Sequence, residues 1–315
     1  MKALVTGAAG FIGSHLAERL LECGDEVIGL DNFNDYYDPD QKQANAQILK
    51  KHPAFTLIRA DIRDRSQMLS LFEKEQFDAV AHLAAMAGVR NAVQHPNLYV
   101  DVDYVGTQNL MDGARNSSVK HFVMASTSSV YGSTEAIPFR ETDPCAKPLQ
   151  PYAAAKRAAE ILGYAYSYLF DLNFTALRFF TVYGPRGRPD MMAFLVADSI
   201  TSGRPIPLYE GGEMYRDWTY VSDIVDGFVA AIDRPMGYKI FNLGRGQPMK
   251  LSDFISIIEE YAGGRANVVV KPKPAADVTR TYADISEARR LLGYNPTVSV
   301  PSGVAAFWEW FSSRA

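Results

Sequence analysis

Ala3-Leu4-Val5-Thr6-Gly7-Ala8-Ala9-Gly10-Phe11-Ile12-Gly13-Ser14 runs from an apolar, strand-forming stretch through three spaced glycines into a helical pattern. Glycines between strand and helix allow a tight turn, close approach of a pyrophosphate to bare backbone, and close helix–sheet packing. Free backbone N–H groups and the positive end of the helix then receive the phosphates. Gly7, Gly10, Phe11, Ile12 and Gly13 are therefore candidate cofactor contacts. Glycine spacing alone is weak evidence, but here strand, loop, helix and a distal acid occur in order. Asp31, 18 residues beyond Gly13, ends the next apolar run, where a carboxylate can bind adenosine ribose hydroxyls. Its charge would repel a 2′-phosphate, which favours NAD over NADP. Asp61, after the third run, is either a contact to the adenine amino group or a solvated loop acid.

Outward from this segment, β-rich runs alternate with helical patterns. Strands are expected at Ala3–Thr6, Val27–Leu30, Thr56–Ala60, Ala79–Leu83, His121–Ala125 and Phe174–Arg178. Helices are expected at Ser14–Glu22, Arg65–Glu75, Tyr104–Asn116 and Tyr152–Phe170. Alternation of this kind predicts an α/β fold, a Rossmann-type doubly wound parallel sheet whose strands are apolar throughout because both faces are covered. After Gly184, proline and glycine become dense and the patterns mix. The expected division is a dinucleotide-binding domain over 1–180, with 218–244 returning to it as a helix (Val221–Ile232) and a strand (Lys239–Leu243). A smaller α/β substrate lobe is expected from 181–217 and 245–315.

Composition narrows the function. The chain has 315 residues, 47% of them hydrophobic, enough for a packed core. Its formal charge of −4, with no basic cluster, argues against nucleic acid as a partner. Two cysteines, Cys23 and Cys145, are too few for a disulfide framework or a cysteine-built zinc site. The five histidines show no helical pairing, so no metal is expected. No apolar run approaches the roughly 18 residues that span a bilayer, and the N-terminus lacks a leader pattern. A cytoplasmic protein without membrane contact is the expectation.

Tyr152 and Lys156 stand four apart, on one face of a helix. Thr127 follows the strand run His121–Ala125, so a parallel sheet would bring it to the same rim. A phenol titrates near 10, and bringing it toward neutrality corresponds to roughly 3–4 kcal/mol, within reach of close positive charges in a partly dry site. Lys156 and the cationic nicotinamide ring would supply those charges, and Thr127 would orient the reacting oxygen. Tyr-x-x-x-Lys is common by chance on helix surfaces. Its weight comes from the upstream dinucleotide loop.

Val5–Ser14, Ser128-Ser129-Val130-Tyr131-Gly132, Tyr152–Lys156 and Arg216-Asp217-Trp218-Thr219-Tyr220-Val221 together resemble the signatures of the extended short-chain dehydrogenase/reductase family of NAD-dependent sugar-nucleotide epimerases and dehydratases, over nearly the whole chain. Within it, Asp31-Asn32-Phe33-Asn34-Asp35-Tyr36-Tyr37-Asp38-Pro39 and Arg178-Phe179-Phe180-Thr181-Val182-Tyr183-Gly184-Pro185-Arg186-Gly187-Arg188-Pro189-Asp190-Met191 look most like UDP-glucuronate 4-epimerases. The resemblance implies Thr127, Tyr152 and Lys156 as catalytic residues. It implies further cofactor contacts at Asn32, Ile62, Leu83, Ala84 and Ala85, with Tyr152 and Lys156 touching the cofactor too. For a UDP-sugar substrate it implies Arg90, Ser128, Thr181, Arg188, Arg216 and Asp277. Three positions depart from the pattern: Asp103 where relatives usually carry Asn, Met86 where Gln is common, and Pro274 where UDP-galactose epimerases carry an Arg. The last leaves Arg216 as the main expected diphosphate contact.

The implied chemistry is transient oxidation at C4 of a hexose, rotation of the ketone, and return of hydride to its other face, so that NAD stays bound and recycles. A glucuronate substrate forms a β-keto acid that loses CO₂ easily, and Arg188, helped by Thr181, would hold its carboxylate; the alternative makes Arg186 and Arg188 solvated loop charges. A 4,6-dehydratase is disfavoured because Ser128 and Ser129, not an acid–base pair, follow Thr127. The competing readings are a UDP-glucuronate decarboxylase, a 4-epimerase of neutral UDP-hexoses, and an NAD-binding regulatory protein without activity. Apolar residues on more than one face of Tyr152–Phe170 (Ile161, Leu162, Tyr164, Tyr168, Leu169), as of Tyr104–Asn116, suggest a homodimer through paired helices, though core burial alone would also explain them.

Overall fold

The computed structural model describes residues 1–274 and 277–314. Its first half is a run of βα units: β1 (Lys2–Thr6), α1 (Phe11–Glu22), β2 (Glu26–Asp31), α2 (Pro39–Leu49), β3 (Phe55–Arg59), α3 (Arg65–Lys74), β4 (Ala79–His82), α4 (Val89–Gln94), α5 (Pro96–Tyr99), a π-helical turn (Val100–Gly106), α6 (Thr107–Arg115), β5 (His121–Thr127), α7 (Pro151–Phe170) and β6 (Phe174–Phe179). There follow β7 (Thr181–Tyr183), α8 (Met192–Ser202), β8 (Ile206–Tyr209), β9 (Tyr215–Arg216), β10 (Trp218–Tyr220), α9 (Val221–Ile232), β11 (Tyr238–Leu243), β12 (Met249–Lys250), α10 (Leu251–Ala262), β13 (Val268–Lys271), α11 (Ser286–Leu292) and α12 (Val300–Ser312).

Seven strands pair in the order β11-β6-β5-β4-β1-β2-β3, all parallel. Leu4, for example, lies in register between Ile28 and Val80. One face of the sheet is covered by α1 and α9 through Leu16, Leu20 and Phe228, the other by α3, α6 and α7 through Met68, Leu110 and Ala159. This is the Rossmann-type α/β fold that the alternating pattern predicts. Strand order reverses between β1 and β4, and in such sheets ligands bind outside the carboxyl ends of the strands at that switch point.

A second core gathers around α8, α10 and α12. Trp218 stacks on Phe254 with ring centroids 3.7 Å apart, among Val196, Val304 and Phe307. Asp217, next to Trp218, is buried and accepts N–H bonds from Arg245 (2.7 Å), Gly246 and Ala283, while its own carbonyl accepts the Thr181 N–H at 3.1 Å. The loop after β11 and the segment at Ala283 are thereby tied to one carboxylate, and β7 to the carbonyl of the same residue.

Two local features escape the hydrophobic pattern. α2 has a polar inner side: Gln41, Lys42 and Asn45 are buried, and Gln41 Nε2 donates to the carbonyls of Arg186 (2.9 Å) and Gly187 (3.0 Å). The expected helix over 104–116 is a π-helical turn followed by a shorter α-helix, because the chain widens to a longer hydrogen-bond repeat before Thr107. Among the described residues, no helix is long and apolar enough to cross a membrane.

One buried cluster sets how α7 sits on the sheet. Glu160, one turn beyond Lys156, accepts from Ser126 Oγ (2.6 Å), Arg178 Nε (3.0 Å) and Nη2 (2.8 Å), and Arg157 Nη1 (2.9 Å). Glu160 and Arg178 have fully buried side chains. Removing one partner of such a pair leaves the other charge sealed and uncompensated. Glu160→Gln is expected to lower stability by about 3 kcal/mol in urea unfolding.

Candidate active site

A cleft of about 1140 Å³ opens at the sheet's carboxyl edge. Every candidate cofactor residue lines it: Gly7 and Gly10–Gly13, Asp31, Asn32, Asp61, Ile62, Leu83, Ala84, Ala85, Tyr152 and Lys156. Its floor fits a dinucleotide. Gly7 has φ +70° and a Cβ there would lie 2.8 Å from the Ala84 nitrogen; a Cβ on Gly13 would lie 2.1 Å from the Gly7 carbonyl oxygen. Only bare backbone passes, and α1 starts from Gly10, which has no side chain to cap its first N–H groups. Asp31 Oδ2 accepts the Ala9 N–H (3.1 Å) and Oδ1 the Phe33 N–H (2.9 Å), while burial raises its pKa. Asp61 is engaged elsewhere: Arg63 binds it at 3.0 and 2.7 Å and holds its carboxyl at about 2, and Asn32 Nδ2 donates to it at 3.0 Å.

Local sequence places the three expected catalytic residues. Gln150 caps α7, its Oε1 accepting the Ala153 N–H at 2.9 Å, and Pro151 occupies the first turn where a missing N–H costs nothing. Tyr152 is thereby delivered at the helix start, with Lys156 one turn on. Thr127 ends β5, and its Oγ1 accepts the Ser129 N–H at 3.1 Å. Lys156 is sealed, and its Nζ has no hydrogen-bond partner among the described residues. Burial lowers its pKa, against the pull of Asp103 and Glu160. The Tyr152 phenol is held above, not below, its usual value by burial and by Asp103; Thr127 and Arg188 oppose this. Burial outweighs the chain's own charges at the phenol, and the acidification expected of Lys156 together with the cationic nicotinamide ring belongs to the NAD-bound protein. The unpartnered Nζ at the floor of a dinucleotide-shaped cleft fits a nicotinamide nucleotide whose ribose can accept from it.

A second, open cleft of about 2060 Å³ contains Thr127 and all six expected substrate residues, Arg90, Ser128, Thr181, Arg188, Arg216 and Asp277. The two clefts meet at Tyr36, Ala87, Tyr152, Phe179 and Arg188. Arg188 is no solvated loop charge. Its Nε and Nη2 donate to Asp190 at 2.9 and 2.8 Å, Tyr36 donates to the same carboxylate at 3.1 Å, and Arg186 pairs with Glu18 at 2.9 Å. Across the outer end, Arg90 reaches Asp277 at 3.2 Å and lies over the Tyr209 ring at 4.6 Å. Burial lowers the pKa of Arg216 while Asp277 raises it.

Sequence reasoning did not assign roles to Tyr36, Gln150, Asp103 or Asp190. Gln150 before Pro151 carried a helix-start signal. Tyr36 and Asp190 lie 154 positions apart and meet only through folding. Because the glycine loop is closed on itself, Gly13→Ala should force it open: the purified variant is expected to lose its bound dinucleotide, read from the ultraviolet spectrum, while keeping the parent's circular dichroism.

Comparison with known proteins agrees with this geometry. A family model described as the NAD dependent epimerase/dehydratase family matches residues 3–244. A probable UDP-glucuronate 4-epimerase from Rhizobium meliloti is 38% identical over 333 residues, covering 100% of this chain and 98% of that protein. A UDP-glucuronate 4-epimerase from Thermodesulfobacterium geofontis is 42% identical over 308 residues, 98% of this chain and 95% of that one. The crystal structure of UDP-glucuronic acid 4-epimerase from Bacillus cereus in complex with UDP-glucuronic acid and NAD superposes with a TM-score of 0.94 at 35% identity, over 100% of both chains. With its glycine loop, its parallel sheet and its Thr–Tyr–Lys set at the meeting of two clefts, the chain belongs to the NAD-dependent epimerase/dehydratase family.

Proposed function

We propose that this chain is a UDP-glucuronate 4-epimerase that interconverts UDP-glucuronate and UDP-galacturonate. The observation that carries the reading is Arg188, whose guanidinium stands where the clefts meet, beside the Tyr152 phenol. A guanidinium binds a carboxylate bidentately and in fixed geometry. Asp190 occupies that fork and a substrate carboxylate takes its place.

Gly7, Gly10–Gly13, Asp31 and Lys156 hold NAD, which when bound supplies the hydride acceptor and donor together with a positive charge near the phenol. Tyr152 takes the proton of the sugar 4-hydroxyl and later returns it. Thr127 hydrogen-bonds the same oxygen and orients it. Arg90, Arg216 and Asp277 hold the nucleotide end in the second lobe, so that the sugar end is free to turn over. The 4-keto acid loses CO₂ when its C5–C6 bond aligns with the carbonyl π system. Arg188, with Thr181 and Ser128, keeps the carboxylate out of that alignment. NAD and nucleotide sugars are cytoplasmic metabolites, and the protein works there.

Chromatography of the products from UDP-glucuronate tests the reading. UDP-galacturonate supports it; UDP-xylose would make the protein a decarboxylase, and no turnover a binding protein. Arg188→Ala is expected to retain NAD, lose at least a hundredfold in kcat/KM for UDP-glucuronate (about 3 kcal/mol of transition-state stabilisation) and release more CO₂ per turnover.

We further propose a homodimer through α7. Leu162 packs into the core, whereas Ile161, Tyr164, Tyr168 and Leu169 are exposed, Tyr168 at 77%. With Val100 and Val105 they make an apolar strip on one side of the molecule, of the kind that marks an interface. Tyr164→Glu should convert a dimer to a monomer in sedimentation velocity.

A further inference from the structure

Asp103, a carboxyl group beside the proton-transfer pair, has no part in the chemistry above. It is fully buried in the π-helical turn, a form frequent at functional sites, and that turn packs against α7. Its position is over-determined. Thr107 Oγ1 donates to its backbone carbonyl at 2.7 Å and meets His82 Nε2 at 2.8 Å, while its Oδ1 accepts the Met86 N–H at 2.9 Å. Oδ2 has no hydrogen-bond partner among the described residues, and neither has Nζ of Lys156. Both atoms are sealed on packed elements, so a charge on one reaches the other with little screening by water.

We propose that Asp103 is a positioning residue of the proton-transfer pair: its carboxyl group opposes the ammonium of Lys156 and so governs the pH at which the Tyr152 phenol ionises. Lys156 and Tyr152 face it from α7 and Tyr99 from α5, whose ring stands edge-on to that of Tyr152 with centroids 6.0 Å apart. His82, on β4, is kept neutral by burial. Arg188 reaches the phenol from the loop after β7, and Glu160 acts on Lys156 from further along α7. Ionised, Asp103 cancels part of the positive potential that favours the phenolate; protonated, it does not. Burial raises its carboxyl to about 7 against the pull of Lys156, so its charge changes within the working range of an enzyme. As pH rises through that range the carboxylate forms and delays ionisation of the phenol. The inference rests on Tyr152 as proton acceptor and on no choice of sugar.

Asp103→Asn keeps an acceptor for the Met86 N–H and nearly the same shape. The NAD-bound full chain is titrated in the near-ultraviolet tyrosinate band, each background subtracted against its own Tyr152→Phe partner. The Tyr152 midpoint is expected to fall by about one pH unit in Asp103→Asn, from a charge removed at several ångströms in a partly dry site. Asp103→Glu should stay near the parent, and the rising limb of kcat on UDP-glucuronate should move with the titration. An unchanged or raised midpoint in Asp103→Asn overturns the proposal, and should that variant fail to fold, Asp103→Ser is titrated to the same criterion. Absence of UDP-glucuronate turnover in the parent would overturn the substrate reading instead, and the absorbance titration would still decide the role of Asp103.

Discussion

Everything at this site depends on the rotational phase of α7. Tyr152, Lys156 and Glu160 recur every four residues along one face, and Glu160 locks that face inward by accepting from Ser126 on β5 and Arg178 on β6. Behind it the helix lies close on the sheet: a Cβ on Gly163 would sit 2.4 Å from the Phe174 ring. With the face fixed, the phenol and the ammonium have one direction to point, into the cleft at the switch of strand order. The same phase turns Ile161, Tyr164 and Tyr168 outward. The chemical face and the exposed apolar face are thus two sides of one helix, set by one buried ion cluster.

Desolvation dominates the electrostatics of the site. Burial raises the pKa of the phenol, lowers that of Lys156 and raises that of Asp103. Each group is pushed toward its neutral form, which dry surroundings favour. A positively charged group bound beside them reverses the balance for the phenol. Arg188 solves the same problem differently: it keeps its charge because Asp190 and Tyr36 supply an internal partner. A site whose fork already holds a carboxylate suits a ligand that brings one.

How much was legible beforehand follows from range. The six first strands, the glycine loop and the capping of α7 depend on neighbours a few positions away, so periodicity and turn chemistry revealed them within a few residues. α2 is hidden from hydrophobic periodicity because its inner face is polar, satisfied by Asn34, by the Ala9 carbonyl and, for Gln41, by carbonyls of a loop some 145 residues later. Hydrophobic spacing over 104–116 does not distinguish a π-turn from an α-turn, so it predicts one uniform helix there. Motif resemblance groups the candidate residues, and they line the two clefts, but it does not show that Arg188 belongs to both or that Asp61 pairs with Arg63.

Local order in the chain determined the alternation of strand and helix, the bare-backbone loop, and the pairing of a phenol with an ammonium at helical spacing, since each is encoded by residues in covalent reach of one another. Only the tertiary structure decided which charges see each other. Coulomb interactions and desolvation depend on distance through space and on what excludes water. The through-space effect of Asp103 on the Tyr152–Lys156 pair, the bond of Tyr36 to the carboxylate that holds Arg188, and the pairing of Asp277 with Arg90 join residues tens to 187 positions apart, and proximity across such separations exists only once the sheet has brought its carboxyl edge together.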